Sequence, residues 1–220
     1  MSQHIPHLRI GCAAGFSGDR TDAAAPVVQA LIASGQPAVL IFETLAERTL
    51  ALAQLARRTQ PDAGYEPLLV DLLQPVLADC LAHGVRIVSN FGAANPAGAA
   101  RRIHQLAAAL GLRAPRIAVV QGDDLSGPHH RALLERALGP AMPTDPIVSA
   151  NAYFCAQAIA DARRAGADIV VCGRVADPSP VLGPATAPYA CAADARHRLA
   201  SAAIAGPSLT SGTQVPGGSF

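Results

Sequence analysis

The sequence predicts an α/β fold with a Rossmann-like, mostly parallel sheet and helices on both of its faces. Three observations carry that expectation. Five short apolar runs recur along the chain, at residues 8–12, 39–42, 86–88, 117–120 and 169–171. Segments with helical spacing of apolar residues fill the gaps between them. Half of the 220 residues are apolar and only 15% are charged, which suits strands buried on both faces that read as unbroken apolar runs. Strand, helix and strand in regular succession imply right-handed crossovers and a parallel sheet.

Each element has its own local warrant. The first run leads through Gly11, Gly15 and Gly18 into a helix starting near Asp22. After the second run, Thr44-Leu45-Ala46-Glu47 reads as a capping box that opens a helix through about Arg58. Leu69, Leu72, Leu73, Val76, Leu77, Cys80 and Leu81 repeat at three and four; Pro75 should kink or split this helix, and Gly84 should end it. Asn95-Pro96 supplies a cap and a first-turn proline, with Ile103, Leu106, Ala107 and Leu110 facing the core. Leu133, Leu134 and Leu138 mark another helix, and residues 151–165 one more, opened by Asn151. The stretch 139–146, with three prolines, reads as a loop. Residues 184–220 are weakly specified: a Pro- and Ala-rich passage at 183–188, a short helix at about 192–205, and an interrupted strand at Thr213-Gln214-Val215.

Composition removes several classes of function. A net charge of +1 leaves no electrostatic footprint for nucleic acid, and 4% aromatics without Trp leave no stacking platform for bases. No segment approaches the roughly 20 consecutive apolar residues of a membrane helix, and the start of the chain lacks the pattern of a secretory signal. The expectation is a cytoplasmic protein without membrane or nucleic-acid partners. Cys12, Cys80, Cys155, Cys172 and Cys191 are odd in number and form no C-x-x-C pair, so they read as buried thiols in a reducing compartment, with Cys12 and Cys172 at strand ends.

The chemistry collects in the tails of the apolar runs. If the runs are parallel strands, their tails emerge on one edge of the sheet, the carboxyl edge where open α/β sheets bind ligands. Gly15 and Gly18 lie where backbone amides before a helix receive an anion. Their spacing, G-x-x-x-G-x-x-G with Gly11, departs from the dinucleotide fingerprint. Asp19-Arg20 is either a helix-entry ion pair or an acid beside an anion clamp. Glu43 ends the second run and no cap requires it. Ser89-Asn90-Phe91-Gly92 offers an amide at a strand terminus, with turn chemistry as the plain alternative. Of Asp123 and Asp124 only one is expected to face a site. Gly173-Arg174-Val175-Ala176-Asp177-Pro178 delivers an arginine suited to a carboxylate or phosphate and an acid three residues on. Asn151 and Tyr153 can face the same pocket. The pool for proton transfer is therefore Asp19, Glu43, Asp123 and Asp177. The binding set is Gly15, Gly18, Arg20, Asn90, Gly92, Asn151 and Arg174. No metal-ligand spacing occurs, and neither a metal nor a cofactor is expected.

Several phrases taken together resemble one family. They are Gly15-Phe16-Ser17-Gly18-Asp19-Arg20, Phe42-Glu43-Thr44-Leu45-Ala46-Glu47-Arg48-Thr49, Ile87-Val88-Ser89-Asn90-Phe91-Gly92-Ala93-Ala94-Asn95-Pro96, Gly122-Asp123-Asp124-Leu125, Ser149-Ala150-Asn151-Ala152-Tyr153 and Gly173-Arg174-Val175-Ala176-Asp177-Pro178-Ser179. They resemble the acyclic terpene utilisation family, AtuA, from about Ile10 to Gly183 and thinly afterwards. The resemblance implies a part in the breakdown of acyclic isoprenoids such as citronellol and geraniol, and of branched acids handled as CoA thioesters. It assigns no catalytic residue. The chain departs from the family pattern at Pro184-Ala185-Thr186-Ala187-Pro188, and the family runs on beyond the equivalent of Phe220. A single α/β domain over 1–220, truncated relative to the family and incomplete in its sheet at the C-terminus, is therefore expected.

The leading functional expectation is hydration- or isomerisation-type proton chemistry on an acyl-CoA or branched acid substrate. A truncated, non-catalytic subunit that pairs with itself or a complementing partner is a second reading. A nicotinamide-dependent oxidoreductase, with Glu43 in the place of a ribose-binding acid, is a third.

Overall fold

The computed structural model describes residues 7–187 and 195–211. In chain order its elements are β1 (Arg9–Ala14), α1 (Ala24–Ala33), β2 (Ala38–Phe42), α2 (Glu47–Thr59), α3 (Leu69–Leu73), α4 (Leu77–His83), β3 (Arg86–Ser89) and α5 (Pro96–Ala109). There follow β4 (Ile117–Val120), α6 (Arg131–Leu138), α7 (Ala156–Arg164), β5 (Ile169–Cys172), α8 (Ser179–Thr186) and α9 (Ala195–Thr210). The five strands form one parallel sheet in the order β1-β2-β3-β5-β4.

Strand alternation sorts the apolar side chains into two layers. Leu40, Phe42, Ile87, Ile169 and Val171 face a core shared with α1, α3, α4 and α5. Val39, Ile41, Val88, Val170 and Cys172 face a second core closed by Ile159 of α7 and Val181 of α8. The strand order explains the division. Steps from β1 to β2, β3 and β4 all advance in one direction, so right-handed crossovers put their helices on one face. The return from β4 to β5 puts α7 on the other face. Gly11 lets α1 lie close on β1, since a Cβ there would come within 2.5 Å of Val27 Cγ1.

Several local expectations are met with cause. The helix over 69–81 is split at Pro75 into α3 and α4, and Gly84 closes α4 at φ +70°. Asn95 caps α5, its side chain accepting from the Gly98 N–H at 3.0 Å. Others are corrected. The capping box at Thr44 does not form: α2 starts at Glu47 after an uncapped Ala46, because Asn90 accepts from the Thr44 N–H at 2.7 Å. The helix expected from Asn151 starts only at Ala156. Residues 150–154 instead run extended across the tails of β4 and β5, bridging Asp124 to Asn151 and Phe154 to Val175. The Pro- and Ala-rich passage begins within α8, where Pro184 is buried and Gly183 touches α7; a Cβ on Gly183 would meet Ile159 Cβ at 2.5 Å. Small residues there allow the helix pair to close up. The helix expected near 192–205 is seen as α9, while the strand at Thr213-Gln214-Val215 and Cys191 lie outside the described residues. No helix among the described residues is long and apolar enough to cross a membrane.

One charged cluster steadies the amino edge of the sheet. Asp168, 4% exposed, accepts from Arg113 Nη1 at 2.7 Å and from the Arg116 N–H at 2.9 Å, and also pairs with Arg86. The Arg113 hydrogen bond is the main reason its carboxyl is lowered to about 2. A folded pKa below the ordinary value contributes stability above about pH 4 that is lost as pH falls towards 2. Asp168→Asn is expected to lose on the order of 2 kcal/mol at neutral pH. Urea denaturation of both proteins should show that gap closing near pH 2.

Candidate functional site

Adjacent strands β3 and β5 send their chains to opposite faces, β3 into α5 and β5 into α8. This is the switch point at which a crevice opens beyond the carboxyl ends of an open sheet. The tails Ser89-Asn90-Phe91-Gly92 and Gly173-Arg174 flank it. Gly92 locks the two together: its N–H donates to the Cys172 carbonyl at 3.0 Å, and a Cβ would lie 2.5 Å from that oxygen and 2.7 Å from Pro96 Cα. Gly92→Ala is expected to cost about 2–3 kcal/mol through overpacking against backbone, measurable as a shifted denaturation midpoint at unchanged slope.

Glu43 stands at the end of β2 with its carboxyl hydrogen-bonded by the Asn90 side-chain amide. The same Asn90, 1% exposed, turns its oxygen to the Thr44 N–H. Burial pushes the Glu43 carboxyl up to about 7; the Asn90 hydrogen bond and Arg174 pull down, and Asp177 pushes up. An acid that changes protonation near neutrality at a strand end can accept or deliver a proton under ordinary conditions.

Arg174, 3% exposed, is held from every side. Its N–H donates to Asp123 Oδ2 at 2.8 Å. Its guanidinium donates to the Leu45 carbonyl, to Glu47 Oε1 at 2.8 Å and to the Tyr153 hydroxyl at 2.9 Å, and stacks 4.2 Å from the Tyr153 ring centroid. Asp177 Oδ1 lies 3.3 Å away. The arginine thus ties the β5 tail to the β2–α2 loop. Glu47, a member of the expected capping box, and Tyr153 belong to this cluster. Two atoms here keep unused hydrogen-bonding capacity among the described residues, Arg174 Nε and Asn151 Oδ1.

The remaining candidates separate into those at the edge and those committed elsewhere. Asp19, 7% exposed, accepts from the Gly15 N–H at 2.9 Å and the Arg20 N–H at 2.8 Å. Its carboxylate therefore occupies amides that an incoming pyrophosphate would need, and Glu43 is engaged by Asn90 rather than presented to a ribose. Both points weigh against the nicotinamide reading. Gly18 supplies the left-handed turn at φ +90°. The Arg20 side chain forks onto Asp22 at the surface, 2.7 Å from Nη2 to Oδ2, away from its expected place as an anion clamp. Asp123, 3% exposed, also accepts from Asn151 Nδ2 at 2.8 Å, so both residues brace the β4 and β5 tails. Asp124 is taken by Ser126 and by Gln54 at 2.9 Å. Burial raises the Cys12 thiol to about 11 and the Cys172 thiol higher, so both stay protonated at neutral pH. Among the described residues no group of His, Cys, Asp and Glu side chains converges as a metal site.

Beside Thr44 a cleft of about 410 Å³ opens between α2 and the loop at 63–67. Leu45, Leu52, Ala53, Ala56 and Ala93 give it apolar walls, and Ser17, Thr44 and Glu66 meet at one end. Glu66, 3% exposed, accepts from the Leu68 N–H at 3.0 Å and has the Ser17 and Thr44 hydroxyls as hydrogen-bonding neighbours. Burial raises its carboxyl above the ordinary range. Glu66 belongs to none of the strand tails and to no motif. Its one signal is an acid just ahead of the most apolar helical repeat in the chain. Asn90 and Thr44 join this cleft to Glu43, so the tails of β1, β2, β3 and β5 form one connected hydrogen-bonded edge.

No curated protein and no solved structure matches this chain. Residues 8–220 match the acyclic terpene utilisation family protein AtuA. That span contains every group described above, and the chain belongs to the acyclic terpene utilisation family.

Proposed function

We propose that this protein is an enzyme of acyclic isoprenoid breakdown that moves a proton beside the carbonyl of a branched acid, carried free or as its CoA thioester. The observation that carries this reading is Glu43: a half-buried carboxyl at a strand end, oriented by Asn90 and titrating at about 7. General acid–base catalysis asks for such a group. Asp177, exposed and close enough to act on Glu43 electrostatically, is the second carboxyl available for proton relay. Arg174 holds the loop that carries Leu45, and Asn90 and Asn151 brace the strand tails beside which the substrate's polar end would lie. The neighbouring cleft, of a volume ordinary for small-molecule sites, gives an apolar chain a place to lie. Hydration or isomerisation of a double bond next to the carbonyl is the chemistry these groups serve.

The test is turnover of a matched series of isoprenoid acyl-CoA thioesters and free acids by the full chain, alongside Glu43→Gln and Asp177→Asn. Turnover that collapses in the Glu43 variant and weakens in the Asp177 variant is expected. Absence of turnover across the series, or turnover indifferent to both changes, overturns the reading.

A further inference from the structure

The amino edge of the sheet gathers more positive charge than its own acids neutralise. Arg86, Asp168 and Arg116 each stand one residue ahead of Ile87, Ile169 and Ile117, which are register partners across β3, β5 and β4. They therefore form one row over three neighbouring strands. Alternation puts that row on the face of Val88 and Val170, the face that α7 covers. Arg163, in the last turn of α7, follows the buried Ile159 and Ala160 by four and three residues and so lies over the same row. Arg113 reaches in from the loop ahead of β4. Among the described residues these four arginines share one carboxylate, Asp168, which leaves three positive charges over. The acid of α7, Asp161, is held by Arg164 at 2.6 Å and by Gln157 at 2.8 Å.

Arg163 is the informative member. It is half-buried, makes no hydrogen bond or ion pair among the described residues, and has its Nε fully buried without a partner. Burial, and then the like charge of Arg86, pull its guanidinium below the usual arginine value. An arginine keeps its proton in a protein even so, and a desolvated charge is costly until it is paired. Gly166 keeps the place open: it turns at φ +84°, and a Cβ there would lie 3.1 Å from Arg116 Nη1. The Gly166 N–H donates to the Arg163 carbonyl at 3.0 Å, so Arg116 and the end of α7 lie side by side.

From this row we infer that the amino edge is a binding site for a phosphate dianion, free or carried on a small molecule, taken by Arg163 together with Arg86 and Arg116. Guanidinium groups match phosphate oxygens in geometry as well as in charge. A single carboxylate is the poorer fit, because it would still leave positive charge uncompensated. The site lies at the opposite end of the strands from Glu43, roughly 13 Å away along a four-residue strand. It takes nothing from the proton chemistry proposed there.

Calorimetric titration of the intact chain with inorganic phosphate and with glycerol phosphate, at constant ionic strength and about pH 8 where both are dianions, tests it. No turnover is involved, so the result stands apart from the fate of the catalytic reading. Binding of either is expected, and the tighter of the two tells a free anion from a phosphate ester. Acetate at the same concentrations should bind at least about tenfold more weakly. Arg163→Met keeps the apolar stem and should weaken phosphate at least about tenfold; Arg116→Gln, at a side chain 66% exposed, should weaken it about threefold. In phosphate-free buffer Arg163→Met should be at least as stable to urea as the unaltered protein, because it removes an unpaired charge. Added phosphate should then raise the midpoint of the unaltered protein alone. No phosphate binding, equal binding by Arg163→Met, or a loss of stability in that variant without phosphate would each overturn the inference. A preference for an oligoglutamate peptide over both phosphates would also overturn it, and would give the edge to a protein partner.

Discussion

Replacing Glu43 by Gln is expected to lower kcat/KM by about 10²–10³, the ordinary contribution of one general acid–base group. The shape is preserved, and the Gln oxygen can still accept from Asn90, so the loss reports the missing proton transfer and not a collapsed edge. Two pH signatures accompany it. With Glu43 as base, activity of the unaltered protein should rise with pH through about 7 to a plateau, and the variant should lack that inflection. The stability effect runs the other way. A carboxyl whose folded pKa lies at about 7, above its unfolded value, contributes stability that is present in acid and lost as pH rises through 7. Between pH 4 and pH 8 the Gln variant should therefore gain on the order of 3 kcal/mol relative to the unaltered protein. Parallel denaturation series at the two pH values measure it.

Arg174→Met is expected to have the largest effect on stability, a loss of about 2–4 kcal/mol. Methionine fills much of the same space but makes none of the guanidinium's bonds. Leu45, 2% exposed, would keep a carbonyl with its donor removed. Glu47 and Asp177, with side chains 74% and 61% exposed, would return to water at little cost, which holds the loss below that of a fully buried ion pair. The Arg174 N–H to Asp123 is backbone and survives. The β2–α2 loop should loosen, and kcat should fall with it more than KM rises. Arg174→Lys should recover only part, since one ammonium cannot serve a carbonyl, a carboxylate and a phenol set in a plane. A midpoint shift worth under about 1 kcal/mol would mean that this arginine does not hold the edge together.

The architecture was legible wherever a local rule had no competitor. Unbroken apolar runs gave the strands because a sheet covered on both faces leaves them no polar side. Pro75 and Gly84 placed the α3–α4 break and its end because ring geometry and a left-handed turn admit few alternatives. The rules failed where distant partners outbid them. Thr44 is a fine cap by sequence, but Asn90 from β3 takes its N–H. Asn151 is an equally fine cap, but Asp123 from β4 holds its amide. Strand order lay beyond reach, because the placement of β5 between β3 and β4 depends on which faces the helices choose. The candidate site shows the same division. The strand tails carry Glu43, Asn90, Asp177 and Arg174 in plain view. Arg20 lies on a tail too, but its neighbour two residues on, Asp22, claims the guanidinium. Glu66 escaped because it sits on a loop with no strand behind it, and only the folded chain brings it to Ser17 and Thr44.

The most direct measurement is a carbon-detected NMR titration of the Glu43 side-chain carboxyl in the intact protein. A midpoint near 7 that moves when Asn90→Ala or Asp177→Asn is introduced is expected from an acid–base group poised by its neighbours at a shared edge. A midpoint in the ordinary carboxylate range, indifferent to both substitutions, would contradict that picture and remove the basis for proton chemistry there.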